Sequence, residues 1–259
     1  MLLTIDIGNT NITLGAYENE KLVFVSRMYT ARHKTSDEFA VDFLNLFKLY
    51  KVNATDFSGI VMSCVVPEIE ESVIRALKTI TGKVPVSVGE RYHGNFEIDV
   101  LPVGAVGADL ICAAVGAKKK YPLPCIIVDL GTATKVIVVD KAGKFVGCTI
   151  SPGVKISMDA LAKTASLLPS VSFTVPEKAV GTNTTECIQS GIVYGTAAML
   201  DGLIKRMKNE LSIDEVSVIA TGGYSKGIIP CCETKMIYDE NLLLDGLVEI
   251  YNESNFLFN

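Results

Sequence analysis

Two short stretches of this sequence combine residue types that can hold a phosphorylated ligand. The first contains Asp6, Gly8 and Thr10, and the second contains Asp129 and Gly131. Each reads Asp-x-Gly followed by small hydroxyl or amide residues. An apolar, β-branched run precedes each aspartate and another follows the motif, which is typical of a strand, a tight turn and a second strand.

The chemistry of such a turn follows from its residue types. Glycine lets the backbone approach a ligand closely, and the N–H groups of a turn form a concave site for anions. A carboxylate repels phosphate, so a cation must lie between them. One copy is weak evidence, because Asp-Gly turns are common. Two copies, one in each half of the chain, predict a metal–phosphate site that holds both ends of a polyphosphate.

The elements that position these turns can be predicted from hydrophobic periodicity. Each half begins with a strand, an Asp-x-Gly turn, two further strands and a helix, which indicates a weak internal duplication. An antiparallel meander followed by alternating helices and strands favours mixed sheets flanked by helices. We therefore predict an α/β protein with two similar domains, residues 1–105 and 106–259, whose two Asp-x-Gly turns meet in a cleft.

Two helices carry further local signals. Thr35 and Glu38 form a capping-box pattern ahead of a helix predicted over residues 36–50. A long helix predicted over 186–209 contains three glycines, which weaken helices and so suggest close approach of another helix or a ligand. These are Gly191, Gly195 and Gly202.

Two more places carry candidate residues with two readings each. Asp109 opens an apolar helix, where an aspartate is a normal cap, and the local sequence favours that structural role. Gly222 and Gly223 follow a predicted strand, and they either form a plain turn or let the backbone pass close to a nucleotide.

Composition restricts the class of protein. The 259 residues are 49% hydrophobic, enough for a sizeable core, and the net charge of −5 argues against a nucleic-acid surface. The seven cysteines form no Cys-x-x-Cys pattern, which indicates thiols in a reducing compartment. We find no signal sequence and expect no membrane-spanning segment, so we predict a cytoplasmic protein. Neither a Gly-x-x-x-x-Gly-Lys-Ser/Thr phosphate loop nor a dinucleotide fingerprint is present.

Taken in order, the motifs resemble those of type III pantothenate kinases over essentially the whole chain. The resemblance rests on Asp6-x-Gly-Asn-Thr10, Gly107-Ala108-Asp109, Asp129-x-Gly-Thr132, Gly147-x-x-Ile-Ser-Pro-Gly153, Gly181-x-Asn-Thr184 and Thr221-Gly-Gly223. It implies the fold of the acetate kinase, sugar kinase, Hsp70 and actin superfamily, with nucleotide in the cleft. It also implies ATP-dependent phosphorylation of pantothenate to 4′-phosphopantothenate, the first step of coenzyme A biosynthesis.

The resemblance further implies roles for individual residues. Asp109 would be the general base for the pantothenate hydroxyl, and Asp129 would bind the monovalent cation, potassium or ammonium, that the family requires. The ATP phosphates and magnesium, the latter at Asp6, would be held by Asp6, Ile7, Gly8, Asn9, Thr10 and Asn11, with Thr132, Gly222 and Gly223 also at the nucleotide. The pantothenate pocket would be lined by Val100, Gly107, Ala108, Asp109, Leu110 and Thr184. Family members are homodimers with the substrate pocket near the dimer interface.

This chain departs from the family pattern at three positions. Arginine usually follows the base, where this chain has Leu110, and a tyrosine expected near position 100 is replaced by Val100. The second motif usually continues with a threonine, where this chain has Lys135. Two alternatives therefore stay open: a catalytically impaired, nucleotide-binding regulatory paralogue, and a kinase for a different small alcohol.

Overall fold

The computed structural model describes residues 1–89, 92–100, 102 and 106–255, with side chains described up to residue 253. Within these residues the chain forms two five-stranded mixed sheets with helices packed on them. The predicted mixed α/β class is confirmed.

The first sheet surrounds the strand that leads into the first Asp-x-Gly turn. Its strands are β1 (Leu2–Ile7), β2 (Asn11–Glu18), β3 (Lys21–Tyr29), β4 (Gly59–Cys64) and β5 (Val86–Val88), in the order β3-β2-β1-β4-β5. β1, β2 and β3 form an antiparallel meander, and β4 and β5 continue the sheet in parallel with β1. The central strand β1 therefore carries Asp6 to one edge of the sheet.

Helices α1 (Ser36–Leu49) and α2 (Pro67–Thr81) complete the first core. Phe39, Phe43 and Phe47 of α1 recur every four residues, so they lie on one helical face and are buried against the sheet. The capping box is confirmed, because the Thr35 hydroxyl accepts the Glu38 N–H and the Glu38 carboxylate accepts the Thr35 N–H. α2 begins at Pro67, which lacks the N–H that a first helical turn leaves unpaired.

The second sheet repeats the topology of the first. It contains β6 (Cys125–Leu130), β7 (Ala133–Val139), β8 (Phe145–Pro152), β9 (Ser217–Thr221) and β10 (Ile237–Tyr238), in the order β10-β9-β6-β7-β8. Replacing β1–β5 with β6–β10 reproduces the strand order of the first sheet, so the predicted duplication is confirmed. Asp6 and Asp129 are each the fifth residue of a six-residue central strand.

Four other helices accompany the sheets, together with a single turn, α6 (Ser225–Ile228). They are α3 (Ala108–Lys120), α4 (Val154–Thr164), α5 (Thr184–Glu210) and α7 (Leu242–Asn255). The second core lies between the sheet and the apolar sides of α4 and α5. The sequence did not predict β10 or α6, because two and four residues are too few to show a periodicity.

The chain packs as two compact units, and the predicted domain bounds 1–105 and 106–259 stay a prediction. The first comprises Met1–Phe96, Leu101–Lys119 and Leu242–Asn259, and the second Glu97–Val100 and Lys120–Asn241. α3 and α7 thus both belong to the first unit. Two glycines let these helices touch backbone to backbone: a Cβ on Gly246 would lie 1.9 Å from the Cys112 carbonyl oxygen, and one on Gly116 would lie 2.3 Å from that of Leu242.

Among the described residues, no other helix of the chain approaches the glycines of α5 closely, and the predicted approach of a ligand stays a prediction. All three are exposed, and a Cβ built on any of them meets no atom within 4 Å. α5 is also long and apolar enough to cross a bilayer by length and composition, which the sequence analysis did not anticipate. That is weak evidence for a membrane span, because a core helix passes the same test, and Ile192, Val193 and Leu200 of α5 are buried in the second core.

We predict that replacing Gly195 and Gly202 together with alanine raises the free energy of unfolding by about 1–2 kcal/mol, because glycine costs about 1 kcal/mol relative to alanine in a helix. Thermal melting should then shift upward by roughly 2–6 °C for a protein of this size. Gly116→Ala is the matched control: it is also a helical glycine, but its Cβ would strike α7, so it should lower the melting temperature. A double variant that melts below the parent protein would contradict the prediction.

Candidate active site

The first Asp-x-Gly turn presents a carboxylate beside an exposed loop. The Gly8 N–H donates to the Asn11 carbonyl at 3.0 Å and closes the turn between β1 and β2. Asp6 lies between Thr13 on β2 and Ser63 on β4. The Ser63 hydroxyl donates to Asp6 Oδ1 at 2.5 Å, a short charge-assisted hydrogen bond that fixes the carboxylate.

The end of β3 returns to this turn and anchors it. Because β3 is antiparallel to β2, Tyr29 pairs with Asn11 and the residues after it lie against the loop. The Thr30 hydroxyl donates to the Gly8 carbonyl at 2.7 Å, and its N–H donates to the Thr10 carbonyl at 3.0 Å. The loop backbone is therefore held by donors from outside the motif.

Arg32 extends this anchor with a positive charge that the sequence analysis missed. Its guanidinium donates to Asn9 Oδ1 at 2.7 Å and pairs with Glu68 at 3.2 Å, while 44% of the side chain stays exposed. A planar guanidinium beside a candidate phosphate loop suits bidentate contact with phosphate oxygens. The sequence did contain a signal for Arg32. In an antiparallel meander the end of the third strand lies beside the turn between the first two strands, so an arginine just after that strand lies near the turn.

Asp109 lies in the first turn of α3. The helix begins at Ala108, so Asp109 is its second residue and not a residue ahead of the helix. Its Oδ1 accepts the N–H of the next residue, Leu110, at 2.9 Å, which is not the contact that an N-cap side chain makes with the N–H two or three residues after it. Leu110 itself is buried, at 5% exposure, so its apolar side chain packs inside the fold.

Cys112 is a buried thiol on α3, three residues after Asp109. Burial raises the pKa of Cys112 well above its usual value, and the negative charges of Asp6 and Asp109 raise it further. Ser63 opposes the shift. The Cys112 thiol is therefore uncharged at neutral pH and is no nucleophile. Asp6 and Asp109 both belong to the first unit.

The second Asp-x-Gly turn has a different charge arrangement. Asp129 on β6 pairs in register with Lys135 on β7 and with Thr221 on β9. Lys135 Nζ lies 2.7 Å from Asp129 Oδ2, and the two side chains are only 13% and 10% exposed. At the matching position of the first sheet, the residue opposite Asp6 is the uncharged Thr13.

Two glycines from other motifs pack directly on the backbone of the second turn. A Cβ on Gly153 would lie 2.1 Å from the Thr132 carbonyl oxygen. Gly222 has a φ of 94°, in the left-handed region, and its Cβ would lie 2.5 Å from the carbonyl carbon of Leu130. Close packing against the turn backbone therefore explains why these two positions are glycine. Gly223 differs, because a Cβ there meets nothing within 4 Å, so its backbone stays approachable by a ligand.

The remaining predicted pocket residues divide between the units. Gly107 and Ala108 lie at the start of α3, and the Gly107 carbonyl accepts the N–H of Leu110. Thr184 is the exposed first residue of α5, and the side chain of Asn183 caps this helix by accepting the N–H of Glu186. Val100 belongs to the second unit, where the neighbouring N–H of Asp99 donates to the Phe145 carbonyl on β8.

Asp6 has the donor chemistry that magnesium prefers. Magnesium takes hard oxygen ligands, usually one or two carboxylates completed by waters and substrate phosphates. The part of the chain that the structure describes contains no group of three or more histidine, cysteine, aspartate or glutamate side chains that could hold an ion by themselves. A single carboxylate beside an exposed phosphate-type loop therefore fits magnesium that arrives with a nucleotide, and it does not fit an all-protein metal site.

Comparisons with solved structures define the fold class. The chain is similar to the activator of 2-hydroxyisocaproyl-CoA dehydratase from Clostridium difficile with bound ADPNP, with a TM-score of 0.60 and 16% identity over 98% of this chain and 94% of that one. It is equally similar to component A of (R)-2-hydroxyglutaryl-CoA dehydratase from Acidaminococcus fermentans, at 0.60 and 16% over 98% of each. The fold is that of the actin-like ATPases and sugar kinases.

The chain belongs to the type III pantothenate kinase family. The sequence model of that family matches residues 2–206. The chain is 40% identical to the type III pantothenate kinase of Halalkalibacterium halodurans and 39% identical to that of Exiguobacterium sibiricum. Both matches span 254 residues, 98% of this chain and all of each relative. The resemblance stated from the motifs is thus confirmed.

We predict that the neighbouring glycines 222 and 223 respond oppositely to alanine. Gly222→Ala should lower stability by about 2 kcal/mol or more, because it combines a left-handed φ with a steric clash against Leu130. Gly223→Ala should change stability by no more than about 0.5 kcal/mol. Thermal melting measures both, and equal melting temperatures for the two variants would show that the packing of Gly222 has been misjudged.

Proposed function

We propose that this protein transfers the γ-phosphoryl group of ATP to the hydroxyl of pantothenate, forming 4′-phosphopantothenate in the first step of coenzyme A biosynthesis. The observation that carries the proposal is the duplicated Asp-x-Gly turn at the same strand position in two equivalent sheets of a chain from this family. The relatives quoted above carry the name of this activity over their whole length.

The first turn is proposed to bind the phosphates of ATP together with magnesium. Asp6 would be a magnesium ligand, and the residues from Gly8 to Asn11 would offer N–H, hydroxyl and amide groups to phosphate oxygens, with residues 9–11 exposed. Bound magnesium would supply neutralisation of the triphosphate charge. Ser63 orients Asp6, and Arg32 adds a second positive charge beside Asn9. On the second unit, Thr132, Gly222 and Gly223 are the proposed nucleotide contacts.

Asp109 is proposed to accept the proton of the acceptor alcohol. The hydroxyl oxygen of pantothenate attacks the γ-phosphorus, the bond to the β–γ bridging oxygen breaks, and ADP leaves. The hydroxyl proton passes to a carboxylate oxygen of Asp109 as the new bond forms. The support is that Asp109 lies in the first turn of α3 with its side chain partly exposed, and that it belongs to the same unit as Asp6.

The acceptor pocket is the part of the proposal for which a specific observation favours other candidate functions. Val100, Gly107, Ala108, Leu110 and Thr184 are the proposed pocket residues besides Asp109. Leu110 is buried where the family usually has arginine, so an expected positive charge is missing beside the base. This observation favours the second candidate, a kinase for another small alcohol, and also the catalytically impaired paralogue.

The resemblance predicts a monovalent cation at Asp129, and the residues around that carboxylate fit such an ion poorly. The ammonium of Lys135 already lies 2.7 Å from Asp129 Oδ2 in a nearly buried pair. A second monovalent cation on the same carboxylate would be repelled by that ammonium. We therefore assign no step to a potassium or ammonium ion.

Assembly and location are proposed from the family. We propose a homodimer that works in the cytoplasm, with no nucleic-acid or membrane partner. The cysteines support a reducing compartment, because they are present as thiols and the pKa of Cys64, Cys125 and Cys232 is raised to about 11, 12 and 12 by burial. Such thiols resist oxidation by thiolate chemistry.

We predict that Asp109→Asn lowers the rate of ADP release with pantothenate and magnesium by about 100-fold or more, the usual contribution of a general base. A coupled ADP assay measures the rate, and mass spectrometry identifies the phosphorylated product. Asp214→Asn, which removes an exposed carboxylate outside the site, should leave the rate unchanged.

The same assay separates the candidates. A parent protein no faster than Asp109→Asn with pantothenate would refute the proposed function. Turnover with another alcohol from an acceptor panel would then favour the second candidate. ATP binding without any turnover, converted to turnover by Leu110→Arg with Val100→Tyr, would favour the impaired paralogue.

We predict that Arg32→Ala weakens ATP binding by about tenfold or more, because a hydrogen bond between charged partners contributes about 1.5–3 kcal/mol. Titration calorimetry with Mg-ATP measures the dissociation constant. Arg75→Ala is the matched control, since Arg75 pairs with Glu71 on the exposed surface of α2. Equal affinities for Arg32→Ala and Arg75→Ala would remove Arg32 from the phosphate site.

A further inference from the structure

We propose that the ammonium of Lys135 serves as a built-in monovalent cation at Asp129, so that this protein works without added potassium or ammonium ions. This inference rests on the proposed function, because it assigns the charge partner of a nucleotide-side carboxylate. Lys135 acts here as a positioning residue through Asp129.

The internal duplication allows the two aspartates to be compared directly. The pairing of β1 with β2 puts Thr13 opposite Asp6, and the pairing of β6 with β7 puts Lys135 opposite Asp129. The two aspartates occupy the same place in two sheets of the same topology. One therefore has an uncharged hydroxyl residue across the strand and the other has an ammonium group.

Strand register and a short distance hold Lys135 and Asp129 together as a pair. Residues directly opposite each other on antiparallel strands have Cβ atoms about 5 Å apart and lie on the same face of the sheet. The register thus fixes the stem of Lys135 beside Asp129, and Nζ reaches Oδ2 at 2.7 Å. Since the side chains are 13% and 10% exposed, water screens their attraction only weakly.

A lysine ammonium and a monovalent ion in solution are chemically equivalent partners for a carboxylate. A lysine ammonium and a potassium or free ammonium ion carry the same single positive charge and are similar in size. Either one lets a carboxylate lie near an anionic phosphate without net repulsion. The lysine differs in being covalently attached, so its occupancy does not depend on the salt in solution.

The packing around the second turn keeps the pair in place. Gly153 and Gly222 bring β8 and the segment after β9 against the backbone of Leu130 and Thr132. A Cβ on Gly131 would lie 3.2 Å from Asp129 Oδ1, so this glycine leaves room for the carboxylate. The turn is thus held rigidly around a carboxylate that already has its counter-ion.

The test compares potassium chloride with tetramethylammonium chloride at equal ionic strength, using full-length protein. For the parent protein we expect the same rate of pantothenate phosphorylation and the same Mg-ATP affinity within about twofold in both salts, because the counter-ion is internal. A rate or an affinity that rises about tenfold or more with potassium would overturn the proposal.

Lys135→Thr supplies the converse experiment, because it gives Asp129 the residue type that stands opposite Asp6. In tetramethylammonium chloride this variant should bind Mg-ATP at least about tenfold more weakly than the parent, as expected for loss of a charged partner. Potassium or ammonium chloride should restore most of the affinity and of the rate. A variant that responds to neither ion, whether unimpaired or impaired beyond rescue, would overturn the proposal.

Two controls keep the outcome attributable to Lys135. Lys119→Thr removes a lysine that pairs with Glu249 on α7, and it should show no salt-ion dependence. The calorimetric affinity for Mg-ATP needs no acceptor, so it tests the role of Lys135 even if pantothenate is not the substrate. If Lys135→Thr does not fold, the comparison of salts on the parent protein decides by itself.

Discussion

The arrangement of this protein depends on a carboxylate that sits one residue from the end of a central strand and must be compensated there. Moving an ionised group out of water costs several kcal/mol unless charge or hydrogen bonds offset the loss. The first sheet meets this requirement at Asp6 with the Ser63 hydroxyl, which comes from the adjacent parallel strand. The second sheet meets it at Asp129 with the Lys135 ammonium, which comes from the adjacent antiparallel strand. The two sheets thus share one topology but compensate their carboxylates differently, with a hydroxyl in the first and an ammonium group in the second.

The motifs that identify the family combine packing with chemistry, and the structure separates the two. Gly153 and Gly222 are required because the turn backbone around Thr132 and Leu130 lies where a Cβ would be. Gly223 has no such neighbour, so its backbone is open to the ligand contact proposed for it. A motif that reads as a single signature in the sequence therefore contains residues that hold the turn and residues that the turn presents.

The fold was largely predictable because its signals are local. Alternating and helical periodicity gave the two meanders, and the capping box at Thr35 gave the start of α1. The division into units was not predictable, because it depends on α7 returning from the end of the chain to pack on α3 through Gly246. Contacts between residues far apart in sequence leave no periodic signal at either position.

The same limit applies to individual residues of the candidate site. The aspartates and glycines were found from their motif, whereas Arg32 acts from the end of β3, outside any motif. The equivalence of Thr13 and Lys135 was hidden for a different reason. Asp6 pairs with the seventh residue after it, and Asp129 pairs with the sixth, so aligning the two motifs by sequence puts Lys135 against Ile12. The register of each hairpin had to be known first.

The two kinds of compensation suit different demands on the carboxylate. A carboxylate that takes magnesium with each nucleotide must accept and release a cation in every cycle, so a neutral partner such as the Ser63 hydroxyl orients it without competing for the site. A carboxylate whose counter-ion is never exchanged gains from a cation that cannot diffuse away. Lysine supplies this at the cost of holding its side chain in one conformation, a cost that the sheet register and the nearly buried setting of Lys135 reduce.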